Sequence, residues 1–191
     1  MRWDDLVRRQ PALAEIARER LVAPGVVLVA TIRRDGTPRL SPVEPLVLDG
    51  DLWLAMLRGS VKAADLARDS RVLVHSIVTS RDGRLGEVKL RGTAVPVDDE
   101  QVQRRYAEAV TAELGWQPEV GRFHLFRVEL DDVTYLRYDD ANGDQYLVRW
   151  PQNREVVRRG TSATTLGPPE PAYDVLVPEP PPTSSSTGKS R

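Results

Sequence analysis

Met56-Leu57-Arg58-Gly59-Ser60-Val61-Lys62-Ala63-Ala64-Asp65-Leu66 is the stretch from which the rest of the chain can be read. Its first residues close an apolar strand, Gly59 permits a tight turn, and Ser60 is placed to cap a helix that begins at Val61. Lys62 falls in the first helical turn, where a cation meets the positive end of the helix dipole. Arg58 lies just outside the same end. Free amides, a hydroxyl and two cations converge where an anion is best held, so a bound phosphate would turn an electrostatic cost into a gain. The plainer alternative is an exposed helix start with solvated Arg58 and Lys62, and the segment alone leaves both open.

Strands and turns extend from this point in both directions. Upstream, Leu52–Leu57 follows an Asp49-Gly50-Asp51 turn, and the strand before it runs from Arg39 to Leu48. Arg34-Asp35-Gly36-Thr37 carries the Asp-Gly hairpin signal. Val26–Ile32, rich in β-branched residues, reads as a strand buried on both faces. Residues 2–22 read as a helix through Leu6, Leu13, Ile16 and Leu21, broken near Gln10 by Pro11.

Downstream, the helix Val61–Arg68 leads to a strand at Arg71–Val78 and a polar loop at Ser80–Gly86. Glu87–Val97 alternates, with Val88 and Leu90 on one face and Glu87, Lys89 and Arg91 on the other. Asp98 is placed to cap a helix, with Gln101 three residues on, and Gly115 ends it. Phe123–Leu130, Val133–Tyr138 and Gln145–Trp150 complete the strands. Asp131-Asp132 and Asp139-Asp140 read as turn residues at hairpin ends.

Residues 160–191 hold seven of the fifteen prolines, a Ser184-Ser185-Ser186 run and few large apolar groups. That composition predicts a disordered tail. The pattern therefore predicts a mainly β fold with peripheral helices. Residues 1–22 form a helical segment packed on a barrel of residues 23–159, and residues 160–191 trail from it.

Composition narrows the chemistry. The 191 residues suit one domain, and a formal net charge of −1 offers no general pull toward nucleic acid or membrane. No cysteine is present, which removes disulfides and thiolate chemistry. No signal peptide or apolar run of about 20 residues is visible, so a cytoplasmic protein is expected. His75 and His124 are the only histidines and share no ligand spacing, so no metal site and no Ser-His-Asp set is expected. Only Lys62, Lys89 and Lys189 of the 27 basic residues are lysine, which draws attention to the two internal ones.

Arg39-Leu40-Ser41-Pro42-Val43-Glu44-Pro45 places two prolines in one strand, an edge or bulge signal. Such an edge either protects against aggregation or leaves backbone groups free to meet a planar heterocycle. Taken in order, Ala30–Pro38, Ser41-Pro42-Val43, Gly59–Ala63, Arg71-Val72 and Glu87–Ala94 resemble the pyridoxamine 5′-phosphate oxidase-like split-barrel family of flavin and deazaflavin oxidoreductases. The resemblance implies a split β-barrel that binds FMN, or alternatively coenzyme F-420, between the subunits of a homodimer.

On that resemblance, Ser60 and Lys62 match the phosphate grip, while Val61 stands where oxidases proper carry arginine and Arg58 is placed to compensate. The second strand implies contacts from Arg39, Ser41 and Val43, and the third from Ala55 and Met56. Glu87 and Lys89 match a fifth-strand contact that often comes from the other subunit. Trp150-Pro151-Gln152-Asn153-Arg154 departs from the closing arginine-leucine segment of true pyridoxamine phosphate oxidases. The implied activity is hydride transfer between the cofactor and a small conjugated substrate, with no catalytic side chain required. A non-catalytic flavin- or haem-binding carrier or sensor is the alternative, with His75 as the candidate haem residue. F-420 carries an acidic oligoglutamate tail that would suit Arg81, Arg84 and Arg91.

Overall fold

The computed structural model describes residues 1–176 except Ser80, Asp82, Arg84, Trp116 and the side chain of Leu114. Two short helices, α1 (Trp3–Arg9) and α2 (Pro11–Ala17), meet at Gln10, and a π-helical turn (Arg18–Val22) follows. The break falls where Pro11, at the first position of α2, has no N–H to donate. Trp3, Leu6, Leu13, Ala17 and Leu21 are buried in the main core together with the barrel residues.

Strands β1 (Val27–Ile32), β2 (Pro38–Val43), β3 (Pro45–Leu48) and β4 (Asp51–Leu57) precede helix α3 (Val61–Arg68). Then come β5 (Arg71–His75), β6 (Glu87–Pro96), helix α4 (Glu100–Leu114), β7 (Phe123–Tyr138), β8 (Gln145–Trp150), β9 (Arg154–Ser162) and β10 (Thr165–Pro171). All pairings are antiparallel. The barrel runs β2-β1-β5-β6-β7-β4, with β3 on the far side of β4, and it stays open between β2 and β4.

The long strand β7 serves two neighbours on one edge. Its first half, Phe123–Val128, pairs with β4, and its second half, Val133–Tyr138, pairs with β8. The joint is a bulge: Arg91 faces Asp132 and Gly92 faces Leu130, which leaves Asp131 as the extra residue. Gly92 permits it, because a Cβ there would lie 2.2 Å from the Glu129 carbonyl oxygen. Asp131 and Asp132 are thus mid-strand residues and not a hairpin end. Turn chemistry and a bulge share the same residue types, so the spacing could not separate them.

Four further expectations are corrected. β1 is buried on one face only: Val27, Val29 and Thr31 point inward, while Leu28, Ala30 and Ile32 are half-exposed. The expected strand Arg39–Leu48 is divided at Glu44 into β2 and β3. The cap of α4 is Asp99, whose carboxylate accepts from the amides of Gln101 and Val102. Residues 160–176 are also not a disordered tail. β9 and β10 form a hairpin, and Val175 returns to the main core at 4% exposure. Pro168, Pro169 and Pro171 lie in the outermost strand, the place in a sheet that tolerates proline. Residues 177–191 lie outside the described residues, as does Arg84.

Candidate functional site

Gly59 adopts a φ of 78°, as the turn between β4 and α3 requires. Ser60 then caps the helix, its Oγ accepting from the Ala63 amide at 3.4 Å. Lys62 leaves the same helical turn and donates to the Pro42 carbonyl at 3.2 Å. Pro42 belongs to β2, whose outer edge has no strand partner among the described residues, so Lys62 bridges the opening of the barrel. Leu57 and Val61 flank the turn and are 75% and 60% exposed. The first-turn amides of Val61 and Lys62 have no intrahelical acceptor. An anion at this position would meet those amides, Ser60 and Lys62 together.

Arg58 turns elsewhere. Its Nε and Nη2 both donate to the Gly121 carbonyl, at 3.0 and 2.7 Å, fastening the turn to the loop before β7. Arg39, Ser41 and Val43 face Thr31, Val29 and Val27 across the ladder and so share the inner face of the barrel. Val43 is buried there, and Arg39 and Ser41 are half-buried. Met56 points into the main core and Ala55 packs on the opposite side, against the cluster under α4.

Asp65, which the sequence pattern does not single out, ties this region together. Its Oδ2 accepts from the Arg39 Nε at 2.6 Å and from the Thr31 hydroxyl at 3.0 Å, while Arg68 approaches Oδ1 at 3.5 Å. Burial opposes ionisation of Asp65, yet the hydrogen bonds from Arg39 and Thr31 outweigh it and hold its pKa below the usual carboxylate range. Arg39 therefore anchors α3 to β2 through its Nε. The signal was available in part, since an aspartate in mid-helix with Arg68 three residues on is an ion-pair spacing.

Glu87 and Lys89 form an ion pair on the outer face of β6. His75 joins them from β5, with Nε2 3.6 Å from Glu87 and Nδ1 2.6 Å from the Ser76 carbonyl. The ladder register places Lys89, His75, Leu28 and Pro42 in one row across four strands. Three inter-strand steps span about 14 Å. Glu87 and Lys89 thus sit far from the α3 start and on the face opposite Arg39, Ser41 and Val43. A single copy does not bring the two groups together.

A family model described as pyridoxamine 5′-phosphate oxidase matches residues 13–137, from α2 to the end of β7. The chain belongs to the pyridoxamine 5′-phosphate oxidase family. The match ends before β8, so the β8–β10 extension lies beyond the family's matched span.

Among solved structures, the conserved hypothetical protein Rv2991 of Mycobacterium tuberculosis is similar at 25% identity and a TM-score of 0.54, over 63% of this chain and 81% of that one. The putative pyridoxamine 5′-phosphate oxidase of Listeria innocua gives 14% identity and 0.54, over 65% and 95%. The heme storage protein HutZ of Vibrio cholerae gives 18% identity and 0.50, over 69% and 92%. These likenesses agree with the split-barrel topology described above. No curated protein sequence matches the chain. Among the described residues no helix is long and apolar enough to cross a membrane.

Proposed function

We propose that this family member binds FMN, or alternatively the deazaflavin coenzyme F-420, and serves hydride transfer between that cofactor and a small conjugated substrate. The observation that carries the reading is the bridge from Lys62 to Pro42 across the open side of the barrel, beside the free first-turn amides of α3. Cation, hydroxyl and amides gather there at a strand edge whose backbone has no neighbour among the described residues. When bound, the cofactor supplies the redox-active ring. The chain's own residues hold its phosphate, line its edge from β2 and keep water from it. In this reading no side chain acts as an obligatory acid or base, and the activity differs from that of a true pyridoxamine phosphate oxidase.

The reading includes a homodimer with the site shared between copies. Leu28, Ala30 and Ile32 of β1, Leu40 of β2 and Leu73 of β5 leave an apolar patch on the outer face, which a second copy is suited to cover. Glu87 and Lys89 lie on that same face, so a partner's pair could approach the α3 start that its own copy leaves distant.

Titration of FMN and F-420 into wild type and Lys62→Glu, followed by fluorescence, tests the anchor. The reading expects binding of at least one cofactor by wild type, and a loss of about tenfold or more in the variant. Equal affinity in both proteins would refute the anchor, and a haem spectrum in the purified protein would refute the cofactor.

A further inference from the structure

The β8–β10 extension builds a cavity of its own. About 640 Å³ lies between the tip of the β9–β10 hairpin (residues 162–166), the end of β7, and Val78, Gly83 and Gly86 ahead of β6. That volume is within the range of small-molecule sites. The cavity lies on the outer face of the sheet, where Glu87 and Leu136 are ladder partners and Tyr138 follows two residues on. Most of its lining residues, from Tyr138 onward, lie beyond the family's matched span.

Val78, Leu136, Tyr138 and Leu166 give the cavity apolar walls. Tyr138 is 39% exposed, yet its ring is held in place. Its hydroxyl accepts from the Gln145 Nε2 at 2.6 Å, and the ring packs on Gly83, where a Cβ would lie 2.9 Å from it. An exposed but fixed ring receives a flat apolar ligand with little further ordering. The charges at the rim are selective. Glu87 is committed to Lys89, and Asp140 is likewise engaged. Asp139 accepts from the Ala141 amide through Oδ1 at 2.9 Å, while its Oδ2 has no partner among the described residues. Arg81 makes no hydrogen bond or ion pair with a described residue, and it does not pair with Asp139 although both border the cavity. A guanidinium fork fits a carboxylate, and a carboxylate oxygen fits an ammonium. A ligand that carries both groups on an aromatic ring satisfies the rim and the walls together.

We propose that this cavity binds a small aromatic zwitterion of the α-amino acid type. The ring lies against Tyr138 and Leu166, the carboxylate meets Arg81, and the ammonium meets Asp139. The inference is independent of the cofactor reading, whose anchor is at the α3 start; Glu87 alone borders both, and here it is wall and not ligand contact. The sequence pattern hides the site, because residues 162–166 read there as part of a disordered tail and Asp139 reads as a turn residue.

The test is isothermal titration of the full chain with L-phenylalanine, phenethylamine and 3-phenylpropionate, which share a ring and differ in their charged groups. Wild type is expected to bind phenylalanine about tenfold or more tightly than either analogue. Arg81→Ala should lower phenylalanine to the level of phenethylamine, and Asp139→Asn to the level of 3-phenylpropionate. Asparagine keeps an acceptor for the Ala141 amide, so the turn is retained. Ala163→Trp fills the cavity from the exposed hairpin tip and Tyr138→Ala removes the fixed ring, so each should cost phenylalanine about tenfold or more. Melting curves confirm the fold of each variant, and either of the last two suffices if the other does not fold. No binding of phenylalanine by wild type would overturn the proposal, as would equal or tighter binding of either analogue. Phenylalanine affinity unchanged by Arg81→Ala, by Asp139→Asn or by the folded cavity variants would overturn it as well.

Discussion

Asp65 and Asp132 are buried to nearly the same degree, at 4% and 3% exposure, and each draws more than one arginine. Their settings differ. Asp65 lies under α3 on the inner face of the barrel, with a half-buried Arg39 and the fully buried Thr31 hydroxyl as partners. Asp132 lies at the β7 bulge on the outer face, where Arg91 and Arg149 approach it with side chains 57% and 40% exposed. The Arg149 Nε there is buried without a partner. One aspartate closes a finished internal network beside the candidate cofactor anchor. The other gathers cations on a face that also carries the apolar patch and the Glu87–Lys89 pair. Burial of the carboxylate alone does not distinguish the two settings; the exposure of the arginines around it and the unpartnered Arg149 Nε do.

The largest expected effect follows from breaking the internal network. Asp65→Ala strands Arg39 and Thr31 without their acceptor and is expected to cost about 3–5 kcal/mol, the range for a broken buried pair. Asp132→Ala is expected to cost about 1 kcal/mol or less, because its arginines can turn to water. Urea unfolding of the two variants measures the gap, and equal losses would break the comparison.

Val175→Asp comes next. It puts a charge into the main core from the far end of the extension, at an expected cost of about 2–3 kcal/mol. A thermal melt that does not move would mean that the β9–β10 hairpin is not docked.

The acid dependence sharpens the contrast further. The folded pKa of Asp65 is depressed, so its contribution is complete above the unfolded value of about 4 and is lost as pH falls through the lower folded value. Asp65→Asn should therefore flatten the acid limb of a stability–pH profile. A limb as steep as that of wild type would contradict the assignment. The smallest effect is Ser60→Ala, about 0.5–1 kcal/mol by urea unfolding, since the cap it removes is long at 3.4 Å.

How much the sequence disclosed depended on whether a pattern was local. The Gly59–Lys62 turn, the Asp-Gly hairpin and the alternation of β6 are carried by neighbouring residues, and each appears where its pattern predicts it. The extension escapes the sequence because its information is not local. Pro169 and Pro171 look like breakers until they occupy an outermost strand, and Val175 looks isolated until the chain folds back onto the barrel. Asp131 and Asp132 have the composition of a turn and the geometry of a bulge. In the candidate site, Ser60 and Lys62 could be picked out as a pair. Arg39 could be placed near them, but its tie to Asp65 could not be read, because that bond joins residues 26 positions apart. The separation of Glu87 and Lys89 from the α3 start follows only from the order of the strands.

Under the proposed reading, in which Glu87 and Lys89 contact the cofactor, that separation calls for a site shared by two copies, and a mixing experiment tests it. Lys62→Glu disables the anchor and Lys89→Glu disables the outer-face pair, so each protein alone should bind cofactor poorly. If the site is built from two copies, partial unfolding and refolding of an equal mixture should restore binding at about a quarter of the sites, because each mixed dimer carries one intact pairing. FMN or F-420 bound per chain after removal of free cofactor is the measurement. Recovery near that fraction is the predicted result, and a mixture that binds no more than the average of its two components would contradict the shared site.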